Sequence, residues 1–154
     1  MIQRIQTIYI FVAILLLLSI CFWTIDTFAN SQGIFELRWD GVYDVTKADS
    51  TLSLVEMPSL MVLIIVPIVL NVCSIFLFKN RKLQMRMVGI ACGIEIGLIA
   101  ILVYVSYNIC GLLDANFHLS IRWLAPLAAA VMDFLAYRRI SDDEALIKSL
   151  DRLR

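Results

Sequence analysis

Glu95 stands near the middle of an apolar run extending from about Met87 to Tyr107. In hydrocarbon a carboxylate is expensive, so such a residue belongs on a bundle interior or a cavity, where it can hold a proton, an ion or a polar partner. Asn71 lies eight residues before Lys79 in a second apolar run, and Glu95 lies nine after Arg86. The two therefore fall at nearly equal depth on consecutive antiparallel segments. They are expected to face each other, with Glu95 keeping its proton at neutral pH because a desolvated carboxylate is disfavoured. Two readings follow: a structural polar pair, or the acid of a small proton-coupled carrier. Asp133 lies in a later apolar run close to Arg138-Arg139. It is expected to meet a snorkelling Arg4, Lys79 or Arg81 in a structural salt bridge.

Other chemistry is sparse. Gly89, Gly93 and Gly97 recur every four residues, a spacing that lets another helix approach closely. At 100° per residue they fall nearly opposite Glu95. If both faces are used, the segment is central to its bundle or one face makes a homodimer. Cys21, Cys73, Cys92 and Cys110 form no C-x-x-C pair and read as small apolar packing residues. His118 is the only histidine and has no neighbouring ligand cluster, so no metal site is expected. Phosphate loops, zinc motifs and a Ser-His-Asp set are not visible, and neither enzymatic activity nor a cofactor is expected.

These residues need helices to position them. Of 154 residues 61% are hydrophobic, against roughly 45–50% in ordinary soluble domains. A chain of this size cannot hide that much apolar surface from water, whereas a bilayer can solvate it. Four segments approach the roughly 20 residues a spanning helix requires: about 7–25, 58–78, 87–107 and 120–137. The first starts near Arg4 but lacks an A-x-A cleavage pattern, so it reads as a retained helix. The expected fold is all-α: a single membrane domain over 1–154, built as a four-transmembrane-helix bundle.

Charge sets the orientation. The tight loop 79–86 carries Lys79, Arg81, Lys82 and Arg86 and no acid, and the tail opens on Arg138-Arg139. Ten basic residues fall on this side against Arg38, Lys47 and Arg122 on the other. Both termini are therefore expected in the cytoplasm. Trp23, Tyr104, Tyr107 and Trp123 mark the outer interface, and Tyr9, Phe78 and Tyr137 the inner one. Net charge is zero, which gives no field for nucleic acid.

The outer loop 26–57 holds two alternating runs around Asp40-Gly41, predicting a short β-hairpin with a type I′ turn. It is either a recognition surface or a cap over the bundle. In the tail, Ser141 and Glu144 form a capping-box pattern, predicting a separate cytoplasmic C-terminal helix whose apolar face contacts protein. Pro67 is expected to free the Leu63 carbonyl and bend its helix.

Three segments carry a resemblance: Met1-Ile-Gln-Arg-Ile-Gln-Thr7, Leu77-Phe-Lys-Asn-Arg-Lys-Leu-Gln-Met-Arg86, and Asp143-Glu-Ala-Leu-Ile-Lys-Ser-Leu-Asp-Arg-Leu-Arg154. The chain resembles a domain-of-unknown-function family of small four-span inner-membrane proteins from Bacteroidota. That resemblance implies a bacterial inner membrane and a periplasmic hairpin, and no catalytic residue. Its distinctive residues lie on the cytoplasmic side. An accessory or interaction protein is thus the leading expectation, contacting a membrane-protein partner through Lys79, Arg81, Lys82, Arg86, Asp151, Arg152 and Arg154. A Glu95-dependent carrier is the alternative. A disulfide-linked oxidoreductase is disfavoured, since only Cys21 and Cys110 approach the outer face.

Overall fold

The structure is a computed structural model that describes residues 3–30, 33–46, 53–78, 80–115 and 120–151. Lys79, His118, Arg152 and Arg154 lie outside the described residues. Among the described residues there are four α-helices: α1 (Gln3–Phe22), α2 (Pro58–Phe76), α3 (Arg81–Leu113) and α4 (Leu124–Asp151). The first three are long and apolar enough to cross a membrane. Packing runs around a ring, with α1 and α3 each against both α2 and α4. Helix α3 is therefore one corner of a four-helix ring, not its centre.

Each helix buries a seam with alternating spacings of three and four residues. In α1 it runs through Gln6, Ile10, Ala13, Leu17 and Ile20; in α2 through Leu60, Ile64, Pro67, Asn71 and Ser74. In α3 it includes Gln84, Val88, Ala91, Glu95, Leu98 and Leu102, and in α4 Ala129, Asp133, Ala136 and Ile140. This is the heptad geometry of shallowly crossing helices. The outward faces are apolar as well: Phe11 and Leu15, Val62 and Val69, Ile90 and Ile96, Val131 and Phe134 are all exposed. Polar side chains are thus concentrated inside and large aliphatic ones outside, the arrangement expected where lipid is the solvent.

Small residues buried between the helices include Ala13 of α1, Ala91 of α3 and Ala129, Ala130 and Ala136 of α4. Within the chain the glycines bring no other helix into close approach. A methyl group added at Gly93 or Gly97 would meet nothing within 4 Å, and at Gly89 only the Tyr137 ring, at 3.5 Å. Helix α2 stays continuous through the buried Pro67.

The tail is not a separate helix. Helix α4 continues through Arg138, Arg139 and Ser141 to Asp151. After Pro126 in its first turn no glycine or proline interrupts it, and Ile140 fills the inter-helix seam beside Ile10, Ile14, Val88 and Ala136. A capping residue stops a helix only where the preceding chain leaves helical geometry; here packing keeps it helical.

The first loop holds more than a hairpin. Strands β1 (Asp26–Asn30), β2 (Gly33–Leu37), β3 (Gly41–Asp44) and β4 (Ser53–Glu56) form an antiparallel meander in sequential order. Phe28 pairs with Phe35 and Leu37 with Val42. These four side chains are buried against Leu102, Ile109 and Trp123, so the sheet caps one end of the bundle. Trp123 therefore belongs to this core and not to an interfacial belt, whereas Trp23, Tyr104 and Tyr107 are exposed.

The β2–β3 turn also falls one residue earlier than expected. Arg38 N donates to Gly41 O at 2.8 Å, leaving Trp39-Asp40 as the two-residue tip. A type I′ turn on Asp40-Gly41 would need positive φ at both, and neither has it. Gly41 is required for a different reason: a Cβ there would run into the Val55 carbonyl oxygen of β4.

Candidate functional site

Three helices bring polar side chains to one point inside the bundle. Asn71 of α2, Glu95 of α3 and Asp133 of α4 are each 0% exposed. Asn71 Nδ2 donates to Asp133 Oδ2 at 2.7 Å and lies 3.5 Å from Glu95 Oε1, the outer limit for such a bond. The Glu95 and Asp133 carboxyls are within hydrogen-bonding reach of one another. Asp133 thus joins the Asn71–Glu95 pair, whereas Lys79 and the Arg4 side chain, two of its expected partners, lie outside what the structure describes. It does so because it occupies the α4 seam, four residues after Ala129 and three before Ala136.

The geometry has two notable properties. First, it is short of donors. Asn71 Oδ1, Glu95 Oε2 and Asp133 Oδ1 are buried without a hydrogen-bond partner, so protons carried by the carboxyls must supply what the side-chain amide cannot. Second, it is bounded by apolar residues along α3 and α1, while on α2 the buried Ser74 lies one turn away and donates to the Asn71 carbonyl at 2.8 Å. Along α3 the next buried polar residues are Gln84 and Ser106, each about 16 Å away at 1.5 Å per residue. Val88 and Ala91 fill one interval and Leu98 and Leu102 the other, all fully buried. Helix α1 contributes only Ile10, Ala13, Ile14 and Leu17 over its buried middle.

Polar contacts at the two ends tie the bundle differently. At the sheet end, Ser106 Oγ donates to Asp26 Oδ2 at 3.2 Å, and Asn30 Nδ2 donates to the Leu113 carbonyl at 2.7 Å. At the far end, Gln6 Nε2 donates to Asp143 Oδ2, joining α1 to the α4 extension. Lys82, Arg86, Arg138 and Arg139 are exposed at that same end, and Arg81 is half-exposed. Asp151 closes α4. Of the cationic residues expected to make contacts, the described Arg81, Lys82 and Arg86 lie on one end of the bundle, away from the sheet, with Arg138 and Arg139 at that end too. Sequence reasoning missed Asp133 as a member of the polar cluster and Gln6–Asp143 as a helix tie. The three-four spacing of Ala129, Asp133, Ala136 and Ile140 was the available signal for the first.

Four cysteines are free thiols, and among the described residues no group of three or more His, Cys, Asp and Glu side chains could hold a metal ion. No curated protein matches the chain. Residues 2–153 match a domain of unknown function, and the chain belongs to that family, DUF4293.

Proposed function

We propose that this protein is a four-span accessory protein of a bacterial inner membrane, with both termini in the cytoplasm, that binds a membrane-protein partner through its cytoplasmic end. The observation carrying this reading is the collar of Lys82, Arg86, Arg138 and Arg139 exposed at the end opposite the sheet. Basic residues beside spanning segments favour the cytoplasmic side. Helix α4 packs against both α1 and α3 and exposes Leu127, Val131 and Phe134, which supports its crossing beside them. Beyond its tie to Gln6 at Asp143, α4 continues to Asp151, about 12 Å further at 1.5 Å per residue. Ala145, Leu146 and Ser149 of that extension are exposed.

Photo-crosslinkers placed at Arg86, Arg139 and, as a control, Tyr104 test the proposal in native membranes. A discrete adduct from the two cytoplasmic positions, lost on charge reversal of Arg138 and Arg139, is expected. Equal adducts from Tyr104, or none from the collar, would count against it.

A second reading, a proton-coupled carrier, is favoured by the oxygens of Glu95 and Asp133 that lack donors. It needs a polar path through the Val88–Ala91 and Leu98–Leu102 layers, and that requirement makes it the weaker reading. Proteoliposome flux abolished by Glu95→Ala in a correctly folded protein would reverse the order.

A further inference from the structure

Two cavities flank the junction where α1 runs into the sheet. One is a slot of about 120 Å³ lined by Ile20, Ile25, Leu102, Ala125 and Pro126, with Arg122 at its margin. The other is polar, about 310 Å³, lined by Arg38, Trp39, Asp40 and Tyr43. Trp23 and Thr24 line both. An apolar slot and a charged cavity that share Trp23 and Thr24 as walls offer an amphiphile adjacent apolar and polar surfaces, and their position sets the depth. Phe22 and Trp23 are largely exposed at the end of a membrane-length helix, where headgroups lie.

We propose that this junction binds one phospholipid with a primary-ammonium headgroup, its chain entering the slot and its headgroup the polar cavity. An arginine on each cavity, Arg122 and Arg38, supplies cationic donors suited to a phosphodiester. Arg38 spends Nε and one terminal nitrogen on Glu36 Oε2, leaving guanidinium donors for a ligand. Asp40 supplies the counter-charge for an ammonium. Tyr43 OH donates to Asp40 Oδ2 at 2.7 Å and so fixes the carboxylate's orientation. Trp23 and Trp39 offer aromatic faces that attract cations. A purely anionic headgroup would leave Asp40 facing like charge, and a trimethylated one could not hydrogen-bond to it.

The test uses the full chain, delipidated in detergent and titrated with short-chain phosphatidylethanolamine, phosphatidylcholine or phosphatidylglycerol. Intrinsic fluorescence reports the site, because Trp23 and Trp39 line it and Trp123 lies nearby in the sheet-end core. Phosphatidylethanolamine is expected to saturate about tenfold more tightly than phosphatidylglycerol, as one charge-assisted hydrogen bond allows. Arg122→Gln and Arg38→Gln should each weaken it by about tenfold, and Asp40→Asn should erase the preference between headgroups. Should Asp40→Asn fail to fold, the arginine variants, both altered at exposed side chains, decide. Equal affinity for all three lipids, or unaltered affinity in both arginine variants, overturns the proposal. Free phosphoethanolamine is expected to give no response at the same concentration; a matching response would assign the cavity to a soluble amine and overturn the amphiphile reading.

Discussion

Replacing Asn71 by leucine tests whether the buried polar cluster holds the bundle together. The substitution keeps a similar side-chain bulk and removes the side-chain amide that bridges α2 to both α3 and α4. Its 2.7 Å bond to Asp133 is well formed, while the 3.5 Å approach to Glu95 is marginal. Interhelical hydrogen bonds in membrane proteins average about 0.6 kcal/mol and reach about 1.7 kcal/mol. The strong bond belongs near the upper figure and the weak one at or below the lower, together about 2 kcal/mol. Asp133 would also lose its donor on Oδ2 while Oδ1 already lacks one, adding on the order of 1 kcal/mol. A total near 2–3 kcal/mol corresponds to roughly 5–10 °C in melting temperature for a chain of this length. Helical circular dichroism of the protein in lipid nanodiscs measures it directly. Glu95→Gln provides the counterpart, because it adds two N–H donors beside oxygens that lack them and should leave the melt unchanged or raise it. If Asn71→Leu melts like the wild type, or if Glu95→Gln loses as much as Asn71→Leu, the cluster does not work as a donor-limited hydrogen-bonded tie and the argument is refuted.

Three other outcomes are expected. Gly41→Ala should push β4 off β3 through the Val55 carbonyl, costing about 1–3 kcal/mol and loosening the cap, which amide exchange of the sheet would report. Ile140→Ala should cost about 2–4 kcal/mol by opening a cavity among Ile10, Ile14 and Val88, and should expose the α4 extension to proteolysis while the sheet end stays protected. The hydrogen bond to Asp40 raises the Tyr43 hydroxyl above the ordinary tyrosine range. Because the folded state favours the protonated phenol, that contribution is complete below the unfolded tyrosine value and disappears as pH rises through the folded one. Alkaline melting should therefore fall less steeply in Tyr43→Phe, and a wild-type tyrosinate titration with no group above the ordinary range would contradict this.

Much of the helical layout was legible because long apolar runs have few alternatives in water or lipid. The Asn71–Glu95 proximity followed from counting outward from the tight loop. What misled was the use of local signals without the seam. Asp133 lies near the inner interface in sequence, which suggested an ion pair with Arg4, Lys79 or Arg81, but its spacing from Ala129 and Ala136 turns it inward. Ser141 carries a capping-box pattern, yet Ile140 is held in the bundle and the helix continues past both. Asp40-Gly41 has the chemistry of a tight turn, but the glycine is needed for the approach of β4, a contact between residues far apart in the chain. The sheet's outer strands are also short and weakly alternating. Asp26-Thr-Phe-Ala-Asn30 becomes a strand through its pairing with Gly33–Leu37 and the burial of Phe28, both tertiary effects.

The distribution of polar groups also bears on where activity resides. In lipid, apolar contact does not separate inside from outside, because aliphatic surface is solvated equally well on both. What specifies the ring is therefore the set of seam residues that lipid cannot satisfy: Gln6 with Asp143 at one end, Asn71 with Glu95 and Asp133 inside, Ser106 with Asp26 at the other. Each tie joins different elements, and together they fix the relative positions of all four helices and the first strand of the sheet. Apolar layers on α3 separate the interior tie from the end ties. A bundle locked in this way presents two chemically unlike ends, one cationic and helical, the other an aromatic-edged sheet beside an apolar slot and a polar cavity. Binding at either end would not require the interior to rearrange, which is the physical reason to seek function at the ends before the buried acids.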